Sequence, residues 1–496
     1  MLKDREKKSE NEGKSELKAE IKELTSLLIT QQIRLRENKL PVIVLVEGWA
    51  AAGKGMLINE LISELDPRFY QVVSSVFTPE TEMRYPFLYP YACTIPENGK
   101  ILFMDAGWME DAVRKYLRRE ITEKQYKERI REINEFERQL RDGGYLLIKL
   151  FMHIGRKEQG ERLAELLDSR ETEWRVGKDD IWQHREYDVF YETYDEFMEK
   201  TQEAAKWHVL EGTKRRVAVR DALKLLTGRI EKRLEKGRYV GKPFEEDFPL
   251  VKMPKLSEVD LSQTISDEDY KTELKRLQKE LAGLHNVIYR KKIPVILCYE
   301  GWDAAGKGGN IRRVTYPLDP RGFDVIPIAS PLPHELARQF LWRFWVKVPR
   351  SGHVSIFDRT WYGRVMVERL EGYCSEDDWK RAYNEINEFE RQLTDWGAVV
   401  LKFWIHIDPE TQLERFTARQ NTPEKQWKIT EEDWRNREKW PLYEEAVDEM
   451  LAKTSTENAP WHIIESNDKK YARIKTIQII IQALEKACAE QLTRGR

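Results

Sequence analysis

The chain has 496 residues, 41% of them apolar and 11% aromatic, enough for more than one domain with its own core. Charged residues reach 34% but the formal net charge is only -2, which argues against a general nucleic-acid coat and leaves room for a local basic groove. Cys93, Cys298, Cys374 and Cys488 form no CxxC pair, so neither a disulfide scaffold nor a zinc site is expected.

The first 14 residues read as a charged arm, too polar for a signal peptide, and 15–37 read as a helix. The apolar runs, such as Pro41 to Val46, are far short of a membrane span, and a reducing cytoplasm is the expected compartment. The β-branched run 42–46 suits a central parallel strand. The loop GWAAAGKG follows it, then a helical pattern over 56–65. A second strand-like run, 100–104, ends at Asp105, and a third covers 145–151. Between them, 123–142 has helical spacing and is expected to form an arm over the site, while 180–229 reads as helical and aromatic-rich. Residues 239–269, with Pro243, Pro249 and Pro254, read as a linker, and 270–290 as a helix leading out of it.

The chain then repeats itself. PVIVLVEGWAAAGKG (41–55) returns as PVILCYEGWDAAGKG (294–308), an offset of 253 residues. The register holds from Glu47/Glu300 through Asp105/Asp358, INEFERQL (133–140)/INEFERQL (386–393), Lys149/Lys402 and His153/His406 to Trp174/Trp427 and Thr201/Thr454. One residue is then added, giving Trp207-His208 and Trp461-His462. This is a tandem repeat of about 200 residues, too long for a solenoid unit. Strand runs at 295–298, 354–357 and 398–405 alternate with helical segments, including an arm at 376–395 and an aromatic-rich end at 433–486. Both copies therefore read as α/β layers around a parallel sheet.

The second copy carries the chemistry. In Gly301-Trp302-Asp303-Ala304-Ala305-Gly306-Lys307-Gly308 a glycine-rich turn after a strand offers backbone N–H groups to phosphate, and Lys307 adds a full charge. Gly301, Ala305, Gly306, Gly308 and Gly309 are the expected phosphate cradle. An ordinary loop of this kind ends in a hydroxyl that reaches magnesium, but Gly308 has no side chain. Asp303 is the natural substitute, and Asp358, at the end of the second strand, supplies a second carboxylate. Two aspartates suit Mg²⁺, with Mn²⁺ as an admissible substitute. Arg359 and Arg364 are candidate phosphate ligands, against a reading as surface ion pairs. Trp361 and Tyr362 are balanced between packing the site floor and stacking on a base. Lys402, Arg415, Arg419, Lys425 and Lys428 are candidates for a polyanion channel, with a solvated helix face as the alternative for the last four. Arg312, Arg313 and Arg321 share that ambiguity, and His406 reads as structural.

The first copy keeps Gly48, Gly53, Lys54 and Asp105, but Ala50 stands for Asp303, Ala106 for Arg359 and Asp111 for Arg364. It is expected to keep the fold and to lack catalysis; two active sites are the alternative.

GWDAAGKG, FDRTWYGR (357–364), KFWIHIDPETQLERFTAR (402–419) and TPEKQWKITEEDW (422–434) together resemble the polyphosphate kinase 2 family, over about 283–485. The first copy resembles a degenerate relative. The resemblance implies two tandem P-loop kinase-like domains, like thymidylate kinase, with helical lids. It implies magnesium-dependent movement of a terminal phosphate between inorganic polyphosphate and a nucleotide. The tandem arrangement resembles the class that makes ADP from AMP. The family motif places its loop aspartate and lysine on Asp303 and Lys307, its Asp-Arg pair on Asp358 and Arg359, and its next arginine on Arg364. Its Ser-Trp-Tyr-Asn is Thr360-Trp361-Tyr362-Gly363 here, and Glu368 is matched to a lid acid.

The resulting expectation is an arm and helix over 1–33, a non-catalytic domain over 34–233, a linker and helix over 234–282 and a catalytic domain over 283–496. Polyphosphate and AMP or ADP are the expected partners, with no nucleic acid and no membrane, and a homo-oligomer is left open. The alternatives are ADP or GDP as acceptor, an ATP-dependent kinase, and a non-enzymatic polyphosphate- or nucleotide-binding scaffold.

Overall fold

The computed structural model describes residues 2, 14–74, 84–239, 246–429 and 431–494. Two compact units divide the chain. One takes in the described residues up to 77, those of 88–241, and 332–342; the other takes in those of 78–87, 242–331 and 343–496. The unit boundary therefore cuts across the sequence repeat: 332–342, inside the second copy by sequence, belongs to the first unit, where Trp342 Nε1 donates to Cys93 O at 3.1 Å.

The first unit is built on a five-stranded, wholly parallel sheet of β1 (Val42–Gly48), β2 (Tyr70–Ser74), β3 (Ile101–Asp105), β4 (Leu146–His153) and β5 (Trp207–Glu211). Their order is β2-β3-β1-β4-β5. The second unit repeats it with β6 (Val295–Gly301), β7 (Phe323–Pro327), β8 (Val354–Asp358), β9 (Val399–His406) and β10 (Trp461–Glu465), in the order β7-β8-β6-β9-β10. β1 and β6 are central, flanked on both sides, which is why their sequences are continuous apolar runs rather than alternating ones. The edge strands β2 and β7 are half exposed and alternate weakly, so they escape a search for apolar runs. β5 and β10 lie inside segments that read as helical; helices on either side of each hid it.

Helices cover the sheets. Lys14–Glu37 packs on Arg215–Lys236, with Gln31 Nε2 donating to Thr227 O at 2.9 Å. Asp267–Lys291 takes the same place beside Lys469–Arg494 in the second unit. Both are integral to their units because each packs along a helix that itself lies on the sheet.

Glu123–Asp142 and Glu376–Asp395 are not arms over the site, contrary to the sequence expectation; they form part of the helical layer on their sheets. Their repeated INEFERQL carries a buried acid that the sheet must neutralise. Glu390 is paired with Lys402 Nζ at 2.8 Å, both sealed from solvent, and Glu137 is paired with Lys149 at 2.7 Å in the same way. Lys402 also donates to Tyr362 Oη at 2.8 Å and Thr454 O at 2.6 Å. Such a pair is costly to bury but far costlier to half-remove. Lys402 thus serves the core and lines no channel.

A candidate phosphate-transfer site on the second sheet

β6 ends at Gly301, whose φ of 144° places it in left-handed space. A Cβ there would lie 2.4 Å from Ile405 O, so only glycine lets the loop leave the strand against β9. Ala304 (φ 62°) and Gly306 (φ 115°) continue the turn, and helix Lys307–Thr315 starts directly after it. Lys307 Nζ donates to the carbonyls of Gly301 and Trp302, which keeps its charge at the loop mouth. Gly308 and Gly309 form the first turn of this helix, and a Cβ at Gly308 would meet no atom within 4 Å.

The loop is braced from behind. Arg415 donates to Ala304 O (3.1 Å), Ala305 O (2.9 Å), Ser466 O (2.6 Å) and Asn467 O (3.0 Å). Burial, with the charge of Arg419 beside it, pushes its guanidinium down to about 10. Arg415 is therefore placed behind the phosphate cradle and not along its surface. Arg162 makes the same contacts with Ala51, Ala52, Gly212 and Thr213 in the first unit. Trp302 is fixed too: its indole N–H donates to His406 Nδ1 at 3.0 Å and its ring stacks on Trp440 at 3.7 Å. His406 is structural, as expected.

Asp358 ends β8, next to β6, and so reaches the same mouth. Arg359 follows with φ 66°, a left-handed conformation rare for a side-chain-bearing residue, held by its N–H on Tyr299 O at 2.9 Å. That turn directs the guanidinium to Asp303, 3.5 Å away. Buried Glu300 anchors the next residue, accepting from the Thr360 N–H (2.7 Å) and hydroxyl (2.8 Å). Trp361 and Tyr362 are buried and both donate to Glu390, so they form the floor and stack on no base. Arg364 turns to Glu368 at 3.1 Å and lines neither recess described below; burial raises the Glu368 carboxyl.

Two recesses meet at Asp303 and Arg359. The larger, about 840 Å³, is lined by the loop from Trp302 through Gly308 and by Asp358, and seven of its lining residues are Lys or Arg against three Asp. The smaller, about 80 Å³, is walled by Met366, Val367, Trp404, Trp440 and Tyr443. The structure brings together Asp303, Lys307, Asp358, Arg359 and Arg419 of the expected residues, along with the loop glycines. The side chains of Lys425 and Lys428 lie outside the described residues. Arg312 and Arg313 line the large recess, whereas Arg321 is paired with Asp319 at 2.7 Å.

Sequence reasoning missed Asp433, Asn436, Lys469 and Arg473. Asn436 Nδ2 donates to Asp303 Oδ2 at 3.1 Å, and Arg473 faces Gly309 across the loop helix. A signal for Arg473 lay in comparing the two copies, since the first has Val219 there.

Among the described residues no group of three or more acidic, His or Cys side chains is placed to hold a metal. Asp303 and Asp358, two of the three carboxylates of the large recess, fit instead a hard cation that takes most of its oxygens from bound phosphates and water.

A parallel sheet with a P-loop on its central strand and an aspartate on the adjacent strand defines a P-loop phosphotransferase. The family model for polyphosphate kinase 2 matches residues 8–238 and again 264–492, and the chain belongs to that family. It is similar to a polyphosphate:AMP phosphotransferase of Pseudomonas syringae pv. tomato, 40% identical over 95% of this chain and 96% of that one. A protein of the same name from Acinetobacter johnsonii is 35% identical over 91% and 92%. A crystal structure described as polyphosphate kinase 2 from Pseudomonas aeruginosa PA01 superposes with a TM-score of 0.86, at 36% identity, covering 99% of this chain and all of that one.

Proposed function

We propose that the second unit transfers the terminal phosphoryl group of inorganic polyphosphate to AMP, giving ADP, and that the first unit is not catalytic. The observation that carries this reading is the meeting of two unlike recesses at Asp303 and Arg359. A cationic cleft suits a polyanion donor, and an aromatic-walled recess suits an acceptor with a flat aromatic base. AMP as acceptor is supported by the relatives that match nearly end to end, which carry that substrate in their names.

Lys307 and the loop N–H groups hold the phosphates at the transfer point. Arg359, pre-set by its backbone, lies at the junction where donor and acceptor charge converge. Asp303 and Asp358 hold Mg²⁺, which when bound neutralises charge on the transferring group. An oxygen of the AMP phosphate forms a bond to the terminal phosphorus, the bridging P–O bond breaks, and the shortened chain leaves with the bridging oxygen. A phosphate nucleophile needs no base, so Asp303 acts by position and charge. Arg312, Arg313, Arg419, Lys469 and Arg473 guide the rest of the chain by charge. No described helix is long and apolar enough to cross a membrane, and we place the reaction in the cytoplasm.

The test incubates the protein with Mg²⁺, long-chain polyphosphate and either AMP or ADP and identifies the nucleotide formed. ADP from AMP is expected. Formation of ATP from ADP, with none of ADP from AMP, overturns the assignment of the acceptor.

A further inference from the structure

The first unit has a cavity of about 260 Å³ far from its P-loop. Leu40 and Pro41 precede β1, Asn98 precedes β3, and Gly143 and Gly144 precede β4. The cavity therefore opens at the amino ends of the strands, whereas the P-loop follows the carboxyl end of β1. Three cations line it: Lys39, Arg233 and Arg238.

Capping accounts for only part of this cluster. Arg233 donates one terminal nitrogen to Gly144 O at 3.0 Å, and Arg238 donates to Asp142 O at 3.2 Å. The Nε of Arg233 is buried and has no hydrogen-bond partner among the described residues. The nearby acids are engaged elsewhere: Asp142 pairs with Arg141 at 2.9 Å, and Glu97 with Lys100 at 2.8 Å and Arg338 at 3.1 Å. Burial and the charge of Arg238 both hold the Arg233 guanidinium below its usual range. The second copy does not keep the arrangement, with Ala487 at the position of Arg233, Leu492 at that of Arg238 and Trp396 at that of Gly143.

We propose that this cavity binds a phosphate group, carried by an inorganic polyphosphate or by a nucleotide, independently of either P-loop. Two guanidinium groups and an ammonium lining one recess match the oxygens of a phosphate. The copy that lacks Asp303 and Arg359 equivalents would thus still sense the substrate or product pool.

Equilibrium dialysis of the full chain against labelled pyrophosphate counts the ions bound. Wild type is expected to bind two per chain, Lys307→Ala one, Arg233→Gln one, and the double variant none. Arg233→Lys should recover part of the affinity, which a purely structural defect would not predict. Should Arg233→Gln fail to fold, Arg238→Gln on the exposed side of the cavity takes its place. Competition by AMP in the Lys307→Ala protein identifies a nucleotide phosphate as the occupant; its failure identifies the inorganic chain. A folded Arg233→Gln protein that binds as many ions as wild type overturns the proposal. So does binding that Lys307→Ala removes entirely. If Lys307→Ala removes nothing, the reading of the P-loop fails while the Arg233 comparison still stands.

Discussion

Asp303 is the residue on which the proposed chemistry turns, because Gly308 has no hydroxyl to offer a metal. Asp303→Ala is expected to lower kcat by about 10³-fold or more, as loss of a charge-stabilising group at a transfer site does. An assay of ADP release with saturating polyphosphate checks it. Asn436→Ala, which frees the same carboxylate without removing it, should cost about ten-fold, through imprecise placement. A second residue-scale contrast lies between the copies. Buried Glu300 accepts from both groups of Thr360, but its counterpart Glu47 has Gly107 there, and Glu47 Oε2 is left without a partner among the described residues. Burial, aided by the charge of Glu110, raises the Glu47 carboxyl to about 8. A carboxyl raised in the folded state favours folding fully below its unfolded value of 4.5, and that contribution is lost as pH climbs to about 8. The first unit should therefore weaken across that range by at most about 5 kcal/mol, at roughly 1.4 kcal/mol per unit. Glu47→Gln should flatten the dependence and raise the melting temperature at pH 8 to 9, read by thermal melts at stepped pH.

At the scale of elements, the P-loop is held by a helix rather than by its own sequence. Helix Pro409–Gln420 delivers Arg415 to four carbonyls behind the loop and Arg419 to the cleft in front of it. These two arginines are one helical turn apart and were indistinguishable as charges in a string. Arg415→Ala should lower both the melting temperature and kcat while leaving the salt dependence of the polyphosphate KM unchanged. Arg419→Ala should raise that KM and flatten its salt dependence with little change in stability. Steady-state kinetics at two ionic strengths separate them. The helix Glu376–Asp395 is bound to β9 by Glu390–Lys402, and Lys402→Met should destabilise the second unit by about 3–5 kcal/mol, as removal of one partner from a buried pair does. Chemical denaturation followed by loss of activity measures it.

At the scale of the molecule, two near-identical sheets have diverged at a few positions around one mouth. In the first unit Lys54 faces Glu110 at 4.0 Å, where the second unit has Gly363. The acid stands near the lysine that would meet a phosphate. Lys54→Ala should accordingly leave the rate within about two-fold of wild type, whereas Lys307→Ala should abolish it, if transfer belongs to the second unit. Both variants are read in the same AMP assay.

The duplication, the central and third strands, the second-strand aspartates and the loop with Asp303 were legible in the sequence because each is local: a continuous apolar run, a glycine pattern or an acid at a strand end. The loss of Asp303 and Arg359 equivalents in the first copy was legible by register alone. What needed the tertiary structure was every question of direction. A lysine on a strand, an arginine on a helix and a helix of mixed polarity each have two faces, and only packing decides which is turned inward. That is why Lys402 and Arg415 left the channel, why the supposed arms became part of the helical layer, and why Asn436 and Arg473 joined the site from distant segments. The edge strands β2 and β7 were lost for a related reason: half-exposed, they lack the apolar signature that burial imposes on the centre of the sheet.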